Sequence, residues 1–156
     1  KSFEYVGYWR YFVTTCTFGG QPLFVDAAIV HSALSQFFQA GEAEQNEILA
    51  YCFMPDHLHL LVSGARPDAD FRRFMKLAKQ RSGWWYSSRV GGRLWQEGYY
   101  DRVLRREEAT PDVIRYIIAN PVKAGLVKAP SEYPFWGSAI YSREEILAFV
   151  QDDRRT

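Results

Sequence analysis

Cysteine is scarce in this 156-residue chain: Cys16 and Cys52 are the only two. Two thiols in separate apolar stretches make neither a disulfide framework nor a CxxC metal or redox site. Histidine is equally thin, with three in all. No run approaches the roughly 18 apolar residues of a membrane-spanning helix. Low-complexity tracts, internal repeats and linker-like stretches are missing, so the expectation is one domain over residues 1–156. The chain begins at Lys1 rather than Met, so the lack of a leader segment excludes nothing. A cytoplasmic, nucleoid-associated protein is the expectation.

Apolar residues make up 47% of the chain and aromatics 17%, enough for a real core and too many for a disordered polar chain. The net charge of +1 hides an uneven distribution. Residues 1–65 carry a net −4, residues 66–106 a net +7 and residues 107–156 a net −2. A basic middle third points to one positive surface, for which phosphate is the natural ligand class. A solvated, salt-bridged helix face would give the same count.

Periodicity divides the chain. "YWRYFVTTCTF" (8–18) reads as a strand ending at Gly19-Gly20, and residues 25–45 as a helix with Asp26 at its N-cap. "EILAYCFMP" (47–55) and "HLHLLVSG" (57–64) read as a hairpin about a Pro55-Asp56 turn. Residues 68–89 read as a basic amphipathic helix and 99–105 as a strand. Residues 110–120 read as a helix with Thr110 as N-cap, Pro111 at the first helical position and Asp112 at the positive end of the dipole. The order β-α-β-β-α-β plus a helix predicts an α+β, ferredoxin-like (RRM-like) antiparallel sheet with helices on one face. The other face is then free to hold a site, although fold alone assigns no function.

Alternation sets His57, His59, Leu61 and Ser63 on one side of their strand and Leu58, Leu60 and Val62 on the other. Two imidazoles two residues apart can grip one metal ion; they can equally be ordinary hydrogen-bonded histidines. Tyr116 and Asn120 lie four apart on the last helix and share a face beside the buried stripe Val113, Ile114, Ile117 and Ile118. An Asn120 amide oxygen would complete a site of two imidazoles and one oxygen, which suits Mg²⁺ or Mn²⁺ better than a Cys-seeking Zn²⁺. Alternatively, Asn120 caps a short following helix "PVKAG" that ends at Gly125. Asp56 either shapes the turn or orients a ligand imidazole.

The motifs "MPDHLHLLV", "LWQEGYYDRVLR" and "RYIIANPVKAGLV", in this order and spacing, resemble the single-tyrosine transposases of the HUH endonuclease superfamily. The REP-associated tyrosine transposase branch is the most similar. The resemblance runs from "YWRYFVTTCTF" to about residue 140, and "SREEILAFVQDDRRT" is unmatched. It implies a metal-dependent single-stranded DNA endonuclease and strand transferase acting on hairpin-forming repeats. His57, His59 and Asn120 would hold a divalent metal, Mg²⁺ or Mn²⁺. Tyr116 would attack the scissile phosphate and form a 5′-phosphotyrosine intermediate. A monomer is favoured over a homodimer. For DNA phosphates, the candidates are Arg72, Arg73, Lys76, Lys79, Arg102 and Arg105, followed by Arg106. Trp84, Trp85, Tyr86, Tyr99 and Tyr100 offer stacking surfaces, although about two thirds of them are expected in the core. Two rivals remain. One is a non-catalytic protein of the same fold that binds hairpin or single-stranded nucleic acid. The other is a metal hydrolase that uses water, with Tyr116 a bystander.

Overall fold

The structure, a computed structural model, describes residues 3–152. The ends of the expected 1–156 domain lie outside the described residues. Five strands form one antiparallel sheet: β1 (Arg10–Cys16), β2 (Asn46–Met54), β3 (His57–Gly64), β4 (Tyr100–Val103) and β5 (Trp136–Gly137). Their order is β4-β1-β3-β2-β5, so the first four strands follow the ferredoxin-like plan. Among the described residues, four α-helices complete the fold: α1 (Ala27–Ala43), α2 (Phe71–Arg89), α3 (Thr110–Lys123) and α4 (Arg143–Asp152). No helix is long and apolar enough to cross a membrane among the described residues.

Alternation on β3 sorts the molecule into two cores. Leu58, Leu60 and Val62 join Tyr11 and Val13 of β1 beneath α1 and α2. Aromatic rings fill this layer: Tyr11 stacks on Phe71 at 3.9 Å, and Phe24, Phe37, Phe74 and Trp95 interlock beside them. Asp26 and Asp70 cap α1 and α2 by accepting backbone N–H groups of Ala28, Ile29 and Arg73. On the opposite face Leu61 meets Ala50, Cys52 and Met54 of β2 beneath Val113, Ile114, Ile117 and Ile118 of α3. A bulge between Ile48 and Ala50 slips the β2 register by one residue, so Leu49 and Ala50 both serve this second core.

Several expected boundaries shift. β1 and β4 are shorter than 8–18 and 99–105, because neighbours pair with them only over residues 10–16 and 100–103. Thr110 is not the N-cap of α3. Ala109 holds that position without a side-chain bond, and the Thr110 hydroxyl accepts from the Arg10 guanidinium at 2.9 Å. α3 does not stop at Asn120 but continues through Pro121 to Lys123, so Asn120 caps no separate helix. The helix then ends in a Schellman motif: Leu126 N–H donates to Pro121 O, Gly125 N–H donates to Val122 O, and Gly125 takes φ +76°. The face opposite α1 and α2 is not wholly free, since α3 packs across β2 and β3. Two elements were not foreseen. β5 extends the sheet beyond β2, and α4, from the unmatched segment, buries Ile146 and Val150 in the second core.

Candidate active site

The half of the sheet left uncovered is the β1–β4 side of the α3 face. Register aligns Tyr100, Thr14, His59 and Cys52 in one row across β4, β1, β3 and β2. The adjacent row holds Arg102, Phe12, Leu61 and Ala50. The two histidines therefore sit where cover gives way to open sheet. His59 is buried at 9% exposure, and His57 is half-buried.

The imidazoles converge, with Nε2 of His57 and Nε2 of His59 3.1 Å apart. Their outer nitrogens are held by oxygen. His57 Nδ1 donates to the Asp56 carboxylate at 2.7 Å, which leaves its Nε2 as the inward lone pair when the ring is neutral. His59 Nδ1 lies 2.9 Å from the Thr14 hydroxyl. A hydroxyl both donates and accepts, so Thr14 supports either His59 tautomer. In one, Thr14 donates to Nδ1 and His59 Nε2–H donates to His57. In the other, Nδ1–H donates to Thr14, and both Nε2 lone pairs face the same point. Burial pushes the His59 pKa down to about 4, and the neighbouring His57 adds to the shift. His59 is therefore neutral near pH 7, as a metal ligand must be.

This pair fits a divalent ion. Two ligands about 2.1 Å from one ion and at right angles lie about 3 Å apart, close to the observed nitrogen separation. Outer-nitrogen hydrogen bonds of this kind fix ligand imidazoles. No group of three or more His, Cys, Asp and Glu side chains able to hold a metal occurs among the described residues. A third protein donor would thus be of another type, and the Asn120 amide is the candidate. Its Nδ2 donates to Ile117 O at 3.2 Å and Tyr116 O at 3.0 Å. The Ile117 carbonyl is the one that Pro121, lacking an N–H, cannot satisfy. Asn120 thereby repairs the helix with its nitrogen and keeps its amide oxygen as the remaining acceptor.

Tyr116 is 51% exposed on α3. Its ring meets Phe12 at 5.8 Å, and Phe12 meets His59 at 5.5 Å. Phe12 is therefore the spacer between the phenol and the imidazole pair, a role the sequence reading missed. So is Lys123, whose ammonium stands 4.8 Å from the Tyr116 ring centroid. The signal for Lys123 was its seven-residue spacing from Tyr116, two turns along one helix face.

The basic candidates do not gather at the histidines. α2 lies in the layer on the far side of the sheet. There Arg72, Lys76, Lys79, Gln80, Arg93 and Tyr99 line a groove of about 680 Å³. Arg72 stacks on Tyr5 at 4.3 Å, and Arg73 pairs with Glu44 at 3.5 Å. Lys79 is partly buried, which lowers its pKa, and it donates to the carbonyls of Gln96 and Gly98. It ties down the loop before β4 rather than standing ready for phosphate. Arg102 is likewise engaged: its Nη1 donates to both Glu108 oxygens, at 2.6 and 2.7 Å. That hydrogen bond, with a second from Arg105 N–H, holds Glu108 below its usual carboxylate range. Arg105 keeps an exposed side chain. Among the aromatics, Tyr86 is core, Trp85 and Tyr99 are half-buried, and Trp84 and Tyr100 are each 72% exposed.

An exposed tyrosine one phenylalanine ring away from a histidine pair, on a ferredoxin-like sheet, is in keeping with a tyrosine transposase domain. Residues 10–120 match the IS200-like transposase family, and the chain belongs to it. Among curated proteins it is similar to a REP-associated tyrosine transposase of Escherichia coli, with 31% identity over 57% of this chain and 52% of the relative. It also resembles a Haemophilus influenzae protein of the same type, with 26% identity over 65% of this chain and 64% of the relative. The chain thus spans under two thirds of either relative's length. Two solved structures share the fold. One is a REP-associated tyrosine transposase bound to a REP hairpin, with TM-score 0.71 and 21% identity, covering 87% of this chain and 79% of that one. The other is a Deinococcus radiodurans protein described as a transposase, with TM-score 0.54 and 24% identity, covering 77% and 95% respectively.

Proposed function

We propose that this chain is the catalytic domain of a metal-dependent DNA strand transferase that cuts and rejoins single strands next to hairpins. The observation that carries the reading is the Phe12 ring, in contact with both His59 and Tyr116. It sets an exposed phenol beside an imidazole pair suited to a divalent ion.

In the proposed reaction the Tyr116 hydroxyl attacks the scissile phosphorus. The P–O bond to the 3′ oxygen breaks, and a phosphotyrosine with the 5′ end of the downstream strand forms. The phenol proton leaves as the bond forms, and the departing 3′ oxygen takes up a proton. The phosphotyrosine keeps the energy of the broken diester, so a 3′-hydroxyl can reverse the attack and join strands. His57, His59 and the Asn120 oxygen would hold Mg²⁺ or Mn²⁺, whose charge would polarise the phosphate and lower the cost of developing negative charge. Asp56 and Thr14 keep the two rings turned inward. Lys123 holds its ammonium over the phenol ring, a cation–π contact that steadies the ring's position. Tyr116 packs on Phe12 of its own chain, which suits a site completed within one copy and hence a monomer. Arg72, Arg73 and Lys76, on the other layer, suit the backbone of a bound hairpin rather than the scissile phosphate.

The test uses a labelled hairpin with a single-stranded flank, incubated with Mg²⁺ or Mn²⁺ and resolved under denaturing conditions. The expected product is a covalent protein–DNA species plus a strand ending in a 3′-hydroxyl. A free 5′-phosphate product with no covalent species would assign the cut to water and overturn the reading.

A further inference from the structure

Beside Tyr116, on the side away from Lys123, lies a cleft of about 470 Å³ lined by Phe12, Arg102, Glu107, Glu108, Asp112 and Tyr116, among others. Its apolar wall is the Phe12 ring, backed by Val113. Its polar rim is acidic. The one cation, Arg102, is neutralised by Glu108 through two short hydrogen bonds. Asp112 accepts from Arg115 at 2.9 Å with one oxygen, which leaves the other. Glu107 is exposed and has no ion-pair partner among the described residues.

We propose that this cleft takes the nucleobase next to the scissile phosphate and prefers one carrying an exocyclic amino group. The inference rests on the reading of Tyr116 as the nucleophile, since only then does a substrate phosphate stand at the cleft mouth. A phosphate itself is a poor occupant, because Arg102 is already matched by Glu108 and Arg115 by Asp112, which leaves the negative charge of Glu107 uncompensated. A base is a good one. Every base has a π-face for Phe12, and stacking of this kind is indifferent to sequence. The carboxylates add the choice. Cytosine and adenine present amino donors to a carboxylate, as guanine does. Thymine flanks its one N–H with two carbonyl oxygens, which Glu107 and Asp112 repel. The cleft therefore reads a base with side chains of this domain, independently of any pairing within the DNA.

Binding and cutting separate the two claims. In a Tyr116→Phe background, fluorescence anisotropy is measured with labelled oligodeoxycytidylate, oligodeoxyadenylate and oligothymidylate of about eight nucleotides, a length within single-strand site sizes. The expected result is about five- to tenfold weaker binding of the thymidylate. Glu107→Gln and Asp112→Asn together should erase that difference. Phe12→Leu should weaken all three oligonucleotides alike. Glu107→Gln alone lies on a loop and leaves the start of α3 intact, so it guards against a folding defect in the double variant; it should narrow the preference in part. Equal binding of all three oligonucleotides, or a preference unchanged in the double variant, overturns the proposal. If the Tyr116→Phe protein discriminates bases but the wild-type protein forms no covalent adduct with the labelled hairpin, the base-reading cleft stands and the strand-transfer reading falls instead.

Discussion

The two faces of the sheet are built from the same strands and do different work. On the α1–α2 face, β3 contributes Leu58, Leu60 and Val62, all fully buried in a core rich in aromatic rings. On the other face the alternating residues are His57, His59, Leu61 and Ser63, and only the β2–β3 half is roofed by α3. The first face is held mainly by apolar contact. The second carries polar groups at the boundary of its cover, each imidazole held on its outer nitrogen. The contrast teaches that Leu58 and Leu60 anchor the strand so that a less comfortable set can be displayed beside it. A residue's face, more than its burial, then tells which kind of loss its removal causes.

The largest expected effect is chemical. Tyr116→Phe deletes one exposed oxygen and leaves the ring on Phe12, so adduct formation should fall to background while hairpin affinity and thermal stability stay at wild-type values. An undiminished adduct would remove Tyr116 from the reaction. Next comes a pair one residue apart. Leu60→Ala empties a filled core position and should cost about 2–5 kcal/mol in urea unfolding, while the folded fraction still binds Mn²⁺. His59→Ala should do the reverse, abolishing Mn²⁺ binding by calorimetry with a much smaller stability change. If both variants lost stability and metal together, the division of labour between the faces would be wrong.

How much of this was legible depended on whether the signal was local. The β3 alternation, the two-residue turn and the Asp26 cap are written in neighbouring residues, and the structure keeps all three. The family resemblance rested on short motifs and held. What escaped reading was set at a distance. Phe12 looked like one more apolar strand residue, because its role depends on α3 lying across the sheet from it. Arg102 and Lys79 looked like phosphate ligands, because Glu108 and the Gln96 and Gly98 carbonyls meet them only in the fold. Pro121 read as the possible start of a separate short helix capped by Asn120, yet the Asn120 side chain supplies the missing donor and one helix runs on. β5 is two residues long and held by register to β2, too short for a periodicity to show.

A third effect separates the faces by pH. In metal-free protein, burial holds His59 neutral down to about pH 4, whereas the unfolded chain takes up that proton near 6.5. Stability from this group is fully present above about pH 6.5 and is lost as pH falls toward 4. The loss approaches about 3 kcal/mol at most. Urea midpoints in chelator should therefore decline over that window, and His59→Gln should flatten the decline. Leu60→Ala, lower throughout, should decline in parallel with wild type. A wild-type midpoint unchanged between pH 7 and pH 4.5 would show that the buried ring ionises freely.

The smallest expected effect tests how the open face holds its ligands. Thr14 sits on β1, opposite His59 in register, and touches the metal candidate only through the far nitrogen of its ring. Its hydroxyl accepts from His59 Nδ1–H when both Nε2 lone pairs point inward, and donates when His59 Nε2–H turns toward His57. Thr14→Val keeps the shape and the β-branched strand preference but removes the acceptor. The inward tautomer then leaves a buried N–H unpaired, which penalises the form that binds metal. Mn²⁺ affinity should fall about tenfold, with the Leu60 core and the urea midpoint near neutral pH little changed, because the alternative tautomer remains available. Thr14→Ser, which restores the hydroxyl, should recover the affinity. Equal affinities in the wild-type, valine and serine proteins would mean that packing alone orients His59, and the contrast drawn between the two faces would lose its physical basis at this row.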